Sequence, residues 1–460
     1  MQSSHAASWV SASFSDPNLI ASAGLVPLVR LAERCDLPTL VRRHVDLGVT
    51  TGANPAGKSM SLVAAMCAGA DSIDDAEVLR CGGLDRLFHG IYAPSTLGSF
   101  LRAFTHGHVR QLQAAARRFT ANLIGHAGLI PPGEPTVFLD IDSKVKQVYG
   151  PAKQGASFGY TKVRGLHFQV VTASTPSSRP VIVATRLRRG SAGSGKGAAS
   201  LVAEAIRALR EAKVTAQVVV RADSAFFSAK LVKAIRAVGA RFSITVGNTQ
   251  RIRAAVSQIP ESAWRPIKYR DAIWDQDERR WISEAEIAEI RYTAFASKRK
   301  DLQVTARLIV RRVKRLNPKA TPVGQGELFA AHRHHEFLTD SALTITQAEP
   351  DHRRHAVIEQ VFSDLEAGPL GHLPSGKFQA NAAWLTLAAI SYNLTRAAGT
   401  LADRFHAKAT GATIRKNLIN IPARIATSAR LIRLHLPEHW PWNPGFLTLW
   451  TRTGHRPILT

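Results

Sequence analysis

The strongest constraint on this chain is a switch of hydrophobic period at one proline-rich break. From Asp16 to about Gly128 apolar residues recur three and four apart, and beyond Ile130-Pro131-Pro132-Gly133-Glu134-Pro135 strand-like runs begin at once. Residues 136–142, 163–172 and 180–187 read as three strands joined by short connections, which predicts an antiparallel meander. Residues 199–209 are then helical, 217–221 a short apolar strand, 228–238 helical and 242–246 again strand-like. A meander that passes into alternating helix and strand predicts an α/β fold on a mixed sheet, with helices available for both faces.

With 460 residues the chain is too long for one ordinary core, and its patterns divide it into five regions. Residues 1–130 form a helical region in which Pro94-Ser95-Thr96 precedes Leu97, Phe100, Leu101 and Phe104, a capped helix start with an apolar face. Arg102 and Arg110 lie nearby; a small DNA-binding unit has this pattern, and so has any helical bundle. The sheet region 131–248 is interrupted at 249–335 by a segment holding Trp264, Trp274, Trp281 and β-like runs at 290–295 and 304–313, which reads as an inserted β-containing subdomain. It resumes at 336–400 with a strand at 336–339, a helix at 351–365 and a second helical stretch at 378–398. Residues 401–460 are basic and punctuated by proline.

Lys and Arg number 60 against 34 Asp and Glu, a net charge of +26 that calls for a polyanionic partner. Nucleic acid is favoured over an acidic membrane. No apolar run reaches the roughly 18 residues needed to span a bilayer, and residues 1–17 lack the pattern of a signal peptide, so a soluble, intracellular protein is expected. Cys35, Cys67 and Cys81 are scattered and odd in number, which argues against a disulfide framework or a thiolate zinc site and for three buried small apolar residues.

Chemistry enters through carboxylates. Period two places Val137, Leu139 and Ile141 on one face of a strand and Asp140 and Asp142 on the other, and Asp223 directly follows the apolar run 218–222. On the later helix, His352, His355, Glu359, Ser363 and Glu366 share one stripe opposite Val357, Val361 and Leu365. Each feature alone has an ordinary explanation. An Asp after a strand caps the next helix, a polar stripe is a solvated face, and two histidines with Glu359 also have zinc-ligand character. Set against the topology, Asp142 ends the first strand, Asp223 ends the fourth, and Glu359 lies on the helix after the fifth strand and its insertion. That order resembles the RNase H-like fold, whose adjacent central strands bring such carboxylates together beside that helix. The resemblance implies a site for two Mg²⁺ ions, with Mn²⁺ as a substitute and Asp140 as a further or alternative ligand; hard oxygen ligands suit both metals.

Six blocks carry a narrower resemblance: APSTLGSFLR at 93–102, LDIDS at 139–143, GYTKVRGLH at 159–167, RADS at 221–224, HAVIEQVFSDL at 355–365 and LPSGKFQANAAW at 373–384. In these the chain resembles the DDE transposases of bacterial insertion sequences, in the group numbered thirteen-eighty. The resemblance implies catalysis by Asp142, Asp223 and Glu359, double-stranded DNA as partner in the form of terminal inverted repeats and target, a homodimer in the synaptic complex, and a place in the bacterial cytoplasm, at the nucleoid when bound to DNA. Arg102, Lys162 and Arg164 are expected to contact DNA, and Trp274 or Trp281 to stack on a displaced base. Related transposases carry a Tyr, an Arg and a Lys seven and four residues before the Glu and seven after it; here His352, His355 and Glu366 stand there, with Arg353, Arg354 or Lys377 as substitutes.

Two rivals remain. GSAGSGK at 190–196 nearly matches a phosphate-cradling loop, but Gly197 stands where Mg²⁺ coordination needs a Ser or Thr hydroxyl. A catalytically decayed transposase that acts only as a DNA-binding protein draws on Glu366.

Overall fold

Residues before the break form helices, because their apolar positions build one-sided stripes and prolines and caps mark their starts. After a two-residue strand β1 (Leu19–Ile20) come α1 (Leu25–Arg34), α2 (Leu37–His44), α3 (Pro55–Ala68), α4 (Pro94–Arg102) and α5 (His106–Ala127). Pro94 opens α4 as the sequence pattern requires, and α5 starts at Thr105, whose hydroxyl accepts from the His108 N–H, and stops at Gly128 in the left-handed region. In this computed structural model, residues 4, 9–48, 53–267, 274–275, 280–281, 285–314, 332–429 and 431–455 are described.

Beyond the break the chain lays down β2 (Thr136–Gln147), β3 (Ser157–Phe158), β4 (Arg164–Ser174), β5 (Val181–Arg189), α6 (Ala198–Glu211), β6 (Gln217–Ala222), α7 (Ala229–Ala237) and β7 (Arg241–Thr245). In space the long strands run β5-β4-β2-β6-β7; the first two contacts are antiparallel and the last two parallel. This is a mixed α/β protein whose large sheet, parallel strands and covering helices are consistent with an RNase H-like fold. One expectation needs correction. Asp142 does not end its strand: β2 runs on to Gln147, held by antiparallel pairing to Gly165 at the start of β4, whereas its parallel partner β6 stops at Ala222, opposite Ile141. Asp142 is therefore the first β2 residue beyond the parallel ladder.

The interruption contains α8 (Gln250–Val256), β8 (Arg265–Ile267), β9 (Trp274–Asp275), β10 (Arg280–Trp281), β11 (Ala285–Ala294), β12 (Val304–Lys314) and β13 (His332–Thr339). β13 pairs with β7 and hands the sheet on to β12, β11 and β8, so ten described strands form one sheet. The helix expected at 351–365 is broken into α9 (Ile345–Arg353), a 3₁₀ turn (Arg354–Ala356) and α10 (Val357–Glu366). Arg221 donates to the Asp351 carbonyl, the group that would accept the His355 N–H in an unbroken α-helix.

α11 (Phe378–Ala402) is buried almost all round, the pattern of a helix enclosed on every side. It stands between β5 and helices α3 and α5. The C-terminal residues, opaque in sequence, form α12 (Arg404–Lys408), α13 (Gly411–Ile414), β14 (Ala423–Ser428), β15 (Leu431–His435) and α14 (Asn443–Arg452), with β14 pairing β1. One continuous core of buried side chains runs from Ile20 to Leu449. Cys35 and Cys67 are buried within it as expected, their thiols pushed up to about 12 chiefly by burial, whereas Cys81 is exposed. Among the described residues no helix is long and apolar enough to cross a membrane.

β5 pairs only with β4 among the described strands, which leaves backbone groups on its outer edge in need of partners. Asn393 of α11 supplies them: its side chain accepts from the Ile182 N–H at 2.8 Å and donates to the Ile182 carbonyl at 2.7 Å, and it also donates to Thr120 Oγ1 of α5 at 3.2 Å. Asn393→Leu keeps the volume and strands two buried backbone groups, each worth about 1–3 kcal/mol. The variant should therefore unfold with a loss of about 2–5 kcal/mol in denaturant titration, and a loss below that range would show that β5 does not depend on this contact.

Candidate active site

Asp140 and Arg221 face each other across the parallel β2–β6 pair, where the register sets them side by side. Both are buried, at 0% and 1% exposure. Arg221 Nε and NH2 donate to the two carboxylate oxygens of Asp140 at 2.7 Å each, its other terminal nitrogen donates to the Asp351 carbonyl, and its guanidinium lies 4.1 Å from the Phe138 ring centre. His355 Nδ1 adds a contact of 2.9 Å to Asp140 Oδ1. Burial pushes the Asp140 carboxyl up, but Arg221 and His355 outweigh it and hold it below its ordinary value. With both oxygens engaged by Arg221 and His355, Asp140 supports the strand face that carries Asp142, one of the two parts its place on that face allowed.

Asp142 lies one β-period further along the same face, beyond the end of β6. Its Oδ1 accepts from the Ser143 N–H at 2.6 Å. Its carboxyl is pushed up to about 6, first by burial and then by the negative charges of Asp223 and Glu359, against the pull of Ser143 and His355. Asp223 follows β6 directly, and its Oδ1 accepts from the Ala225 N–H at 3.0 Å, so the capping role that its position suggests is also real. Burial raises its carboxyl, and the Ala225 amide and His355 oppose that. Glu359 is exposed in the first turn of α10. Three carboxylates from a strand, a strand end and a helix thus share one electrostatic neighbourhood. Among the described residues no three Asp, Glu, His or Cys side chains close up into a complete metal-holding set. The donor chemistry nevertheless fits a hard cation: all three groups are carboxylates, and a divalent ion would offset the burial and the like charges that raise Asp142.

The flanking positions separate. His352 is turned under the sheet: its ring nitrogens lie 2.9 Å from Ser243 Oγ and 3.0 Å from Thr245 Oγ1, and the ring stacks on Phe337. Burial, with His355 and Arg221, pushes it down to about 3, so it is neutral, and the zinc grouping with Glu359 does not form. Glu366 accepts from Lys144 Nζ at 2.6 Å. Lys144 was not singled out in the sequence, although the period-two pattern already placed it on the face of Asp142. Arg353 bonds Glu349 and Arg354 bonds Asp351, while Lys377 is exposed just before α11. Arg102 closes α4 and donates to Ser99 Oγ; Lys162 is exposed with a left-handed backbone; Arg164 donates to the Gly150 and Pro151 carbonyls. Trp274 and Trp281 pair across β9 and β10, and their side chains lie outside the described residues.

The loop at 190–196 is built the wrong way round for a nucleotide phosphate. Arg188 donates to the carbonyls of Gly193, Ser194 and Lys196, and Gln169 donates to Ser194. A phosphate cradle turns N–H groups inward, whereas this loop turns oxygens inward.

The class of the chain is thus a mixed α/β protein whose large sheet presents Asp142 and Asp223 where its parallel ladder ends. The family profile described as Transposase DDE domain group 1 matches residues 3–455, and the chain belongs to that family. A search of curated proteins found no match. The family implies a phosphoryl-transfer enzyme with DNA as substrate, and DDE transposases generally use divalent metals.

Neighbouring aspartates should respond oppositely to mutation. Asp140→Ala leaves Arg221 buried and unpaired and should cost about 3–5 kcal/mol. For Asp142, the folded state keeps a proton between the ordinary value of 3.8 and about 6 that the unfolded state has released, so its contribution to stability falls as pH rises through that window and stays low above it. Asp142→Asn should therefore stabilise the metal-free protein at pH 7 by about 1–3 kcal/mol and flatten its stability between pH 4 and 6. Urea titrations across that range decide it, and destabilisation by Asp142→Asn at pH 7 would contradict the assigned repulsion.

Proposed function

We propose that this protein is an active DDE transposase of the insertion-sequence group thirteen-eighty, which binds the terminal inverted repeats of its element as a homodimer and cuts and joins DNA at Asp142, Asp223 and Glu359. One observation carries the reading most: Asp142 stands beyond the end of the parallel β2–β6 ladder that Asp223 directly follows, and burial together with the charges of Asp223 and Glu359 raises its carboxyl. Asp142, Asp223 and Glu359 would hold two Mg²⁺ ions, which when bound activate the attacking oxygen and stabilise the leaving one in an in-line phosphoryl displacement. The chain's own part is positioning. β2 and β6 present two of the groups from a sheet clamped by Arg221, α10 brings the third, and His355 moderates the negative charge around them. The sequence blocks from 93–102 to 373–384 support the narrower group.

The decayed-transposase alternative draws on Glu366 in place of a cation. Lys144 weighs against it. At 2.6 Å from Glu366 it cancels that negative charge from β2, two residues after Asp142.

Replacing Asp142, Asp223 or Glu359 by Ala should leave binding to the element's labelled ends intact, or tighten it as negative charge is lost, while cleavage and joining fall by several orders of magnitude. At limiting Mg²⁺, wild-type cleavage should rise with pH through about 6, because Asp142 must release its proton to bind the cation, and added Mg²⁺ should move that limb to lower pH. Wild-type cutting rates in all three Ala variants would overturn the site. A wild type that binds ends and never cuts with Mg²⁺ or Mn²⁺ would establish the decayed alternative.

A further inference from the structure

We propose that the tip of the β11–β12 hairpin is a DNA-gripping finger, in which Lys298, Arg299 and Lys300 contact the phosphate backbone of duplex DNA close to the carboxylate site. That the DNA gripped there is the DNA being cut rests on the transposase reading; the phosphate contact itself does not.

Three cations stand in a row at this turn, all exposed. The turn is stapled from inside. Lys298 N–H donates to the Phe295 carbonyl at 2.8 Å, and the Gln303 side chain donates to the carbonyls of Ala296 at 3.1 Å and Lys298 at 2.8 Å. The adjacent carboxylate, Asp301, accepts from Lys233 of α7 at 2.8 Å and lies 3.4 Å from Arg299, so its charge is answered locally. Cations held on a stapled turn lose less freedom on binding than the same side chains on a loose loop.

The position of the tip follows from one ring contact. Phe295 holds a left-handed backbone with φ of 60°, a conformation that costs a residue with a Cβ about 1–2 kcal/mol. Its ring stacks on Phe227 with centres 4.7 Å apart and planes 29° from parallel. Phe227 is the fourth residue after Asp223 and is separated from it only by a 3₁₀ turn (Ser224–Phe226). Four residues of chain reach at most about 14 Å, well inside one helical turn of duplex, about 34 Å. The ring contact thus ties the base of the turn to the segment that follows Asp223, and the phosphates flanking that position are the ones proposed to meet Lys298 to Lys300. A β-ribbon is also an established way to present side chains to DNA.

The test is fluorescence anisotropy of a random-sequence 30-base-pair duplex titrated with the full chain at several salt concentrations. The triple variant K298A/R299A/K300A is compared with wild type and with R404A/K408A/R433A, which removes the same charge from exposed C-terminal positions. Each phosphate contact contributes about 0.9 to the slope of log affinity against log salt, so the hairpin variant should lose about 2–3 units and bind at least about tenfold more weakly at moderate salt. The control should lose less than one unit. A slope for the hairpin variant within one unit of wild type, or no larger a loss than the control's, overturns the proposal. Circular dichroism melts should match wild type, because the three side chains are exposed; a lowered melting temperature would instead assign them a role in folding and overturn it. This readout needs no cutting, so a wild type that never cleaves sinks the transposase reading alone, and an unchanged slope in a protein that cleaves sinks the finger alone.

Discussion

The buried pair Arg221–Asp140 is the contact on which the geometry of this molecule turns. Removing an arginine and an aspartate from water costs several kcal/mol for each ion and is tolerated only where every donor and acceptor finds a partner. Here the guanidinium meets both carboxylate oxygens, a helix carbonyl and an aromatic face, and His355 completes the carboxylate. The pair therefore locks three elements into one arrangement. It sets β2 against β6 and draws in the C-terminal end of α9, so that α10 begins where Glu359 can approach the two strands. A salt bridge in this position contributes little net stability compared with an apolar pair; its value lies in admitting only one arrangement.

Around that clamp, charge is distributed as positioning requires. Asp142 sits where the parallel ladder has ended and the antiparallel one continues, which gives it a rigid backbone and an open side. Partial burial and two like-charged neighbours raise its carboxyl. Hydrogen-bonding partners sit nearby and remain engaged: His355 on Asp140, Lys144 on Glu366. His352, by contrast, has been taken out of the electrostatics altogether by burial and works as a packing and hydrogen-bonding residue.

The sheet reaches beyond this centre because β13 adds to the free edge of β7, and the chain between β7 and β13 supplies its own further strands. An exposed edge is thereby covered by the protein itself. At the opposite edge a side chain does the same work, where Asn393 satisfies the backbone of β5 from a helix enclosed by the N-terminal bundle. Pairing of β1 with β14 brings the two ends of the sequence into one small sheet.

Much of this was legible in the residues alone. The proline break and the strand and helix periods predicted the order of elements, with Asp223 directly after its strand, because hydrophobic period is a local property of the chain. That Asp142 lies inside a longer strand and that the helix before Glu359 is broken depended on pairing the period does not show. Period two also put Asp140 and Asp142 on one face. It could not separate their roles, since whether a carboxylate is clamped or open depends on which residue the neighbouring strand sets opposite, and Arg221 reaches Asp140 only through the β2–β6 register. The break between α9 and α10, the pairing of Lys144 with Glu366 across more than two hundred residues and the stacking of Phe227 on Phe295 have the same origin. The amino-acid sequence by itself determined the elements, their order and the supply of charge. Only the tertiary structure decided which charges were neutralised and which were left to act, because that depends on distance and burial, and neither is a property of residues taken one segment at a time.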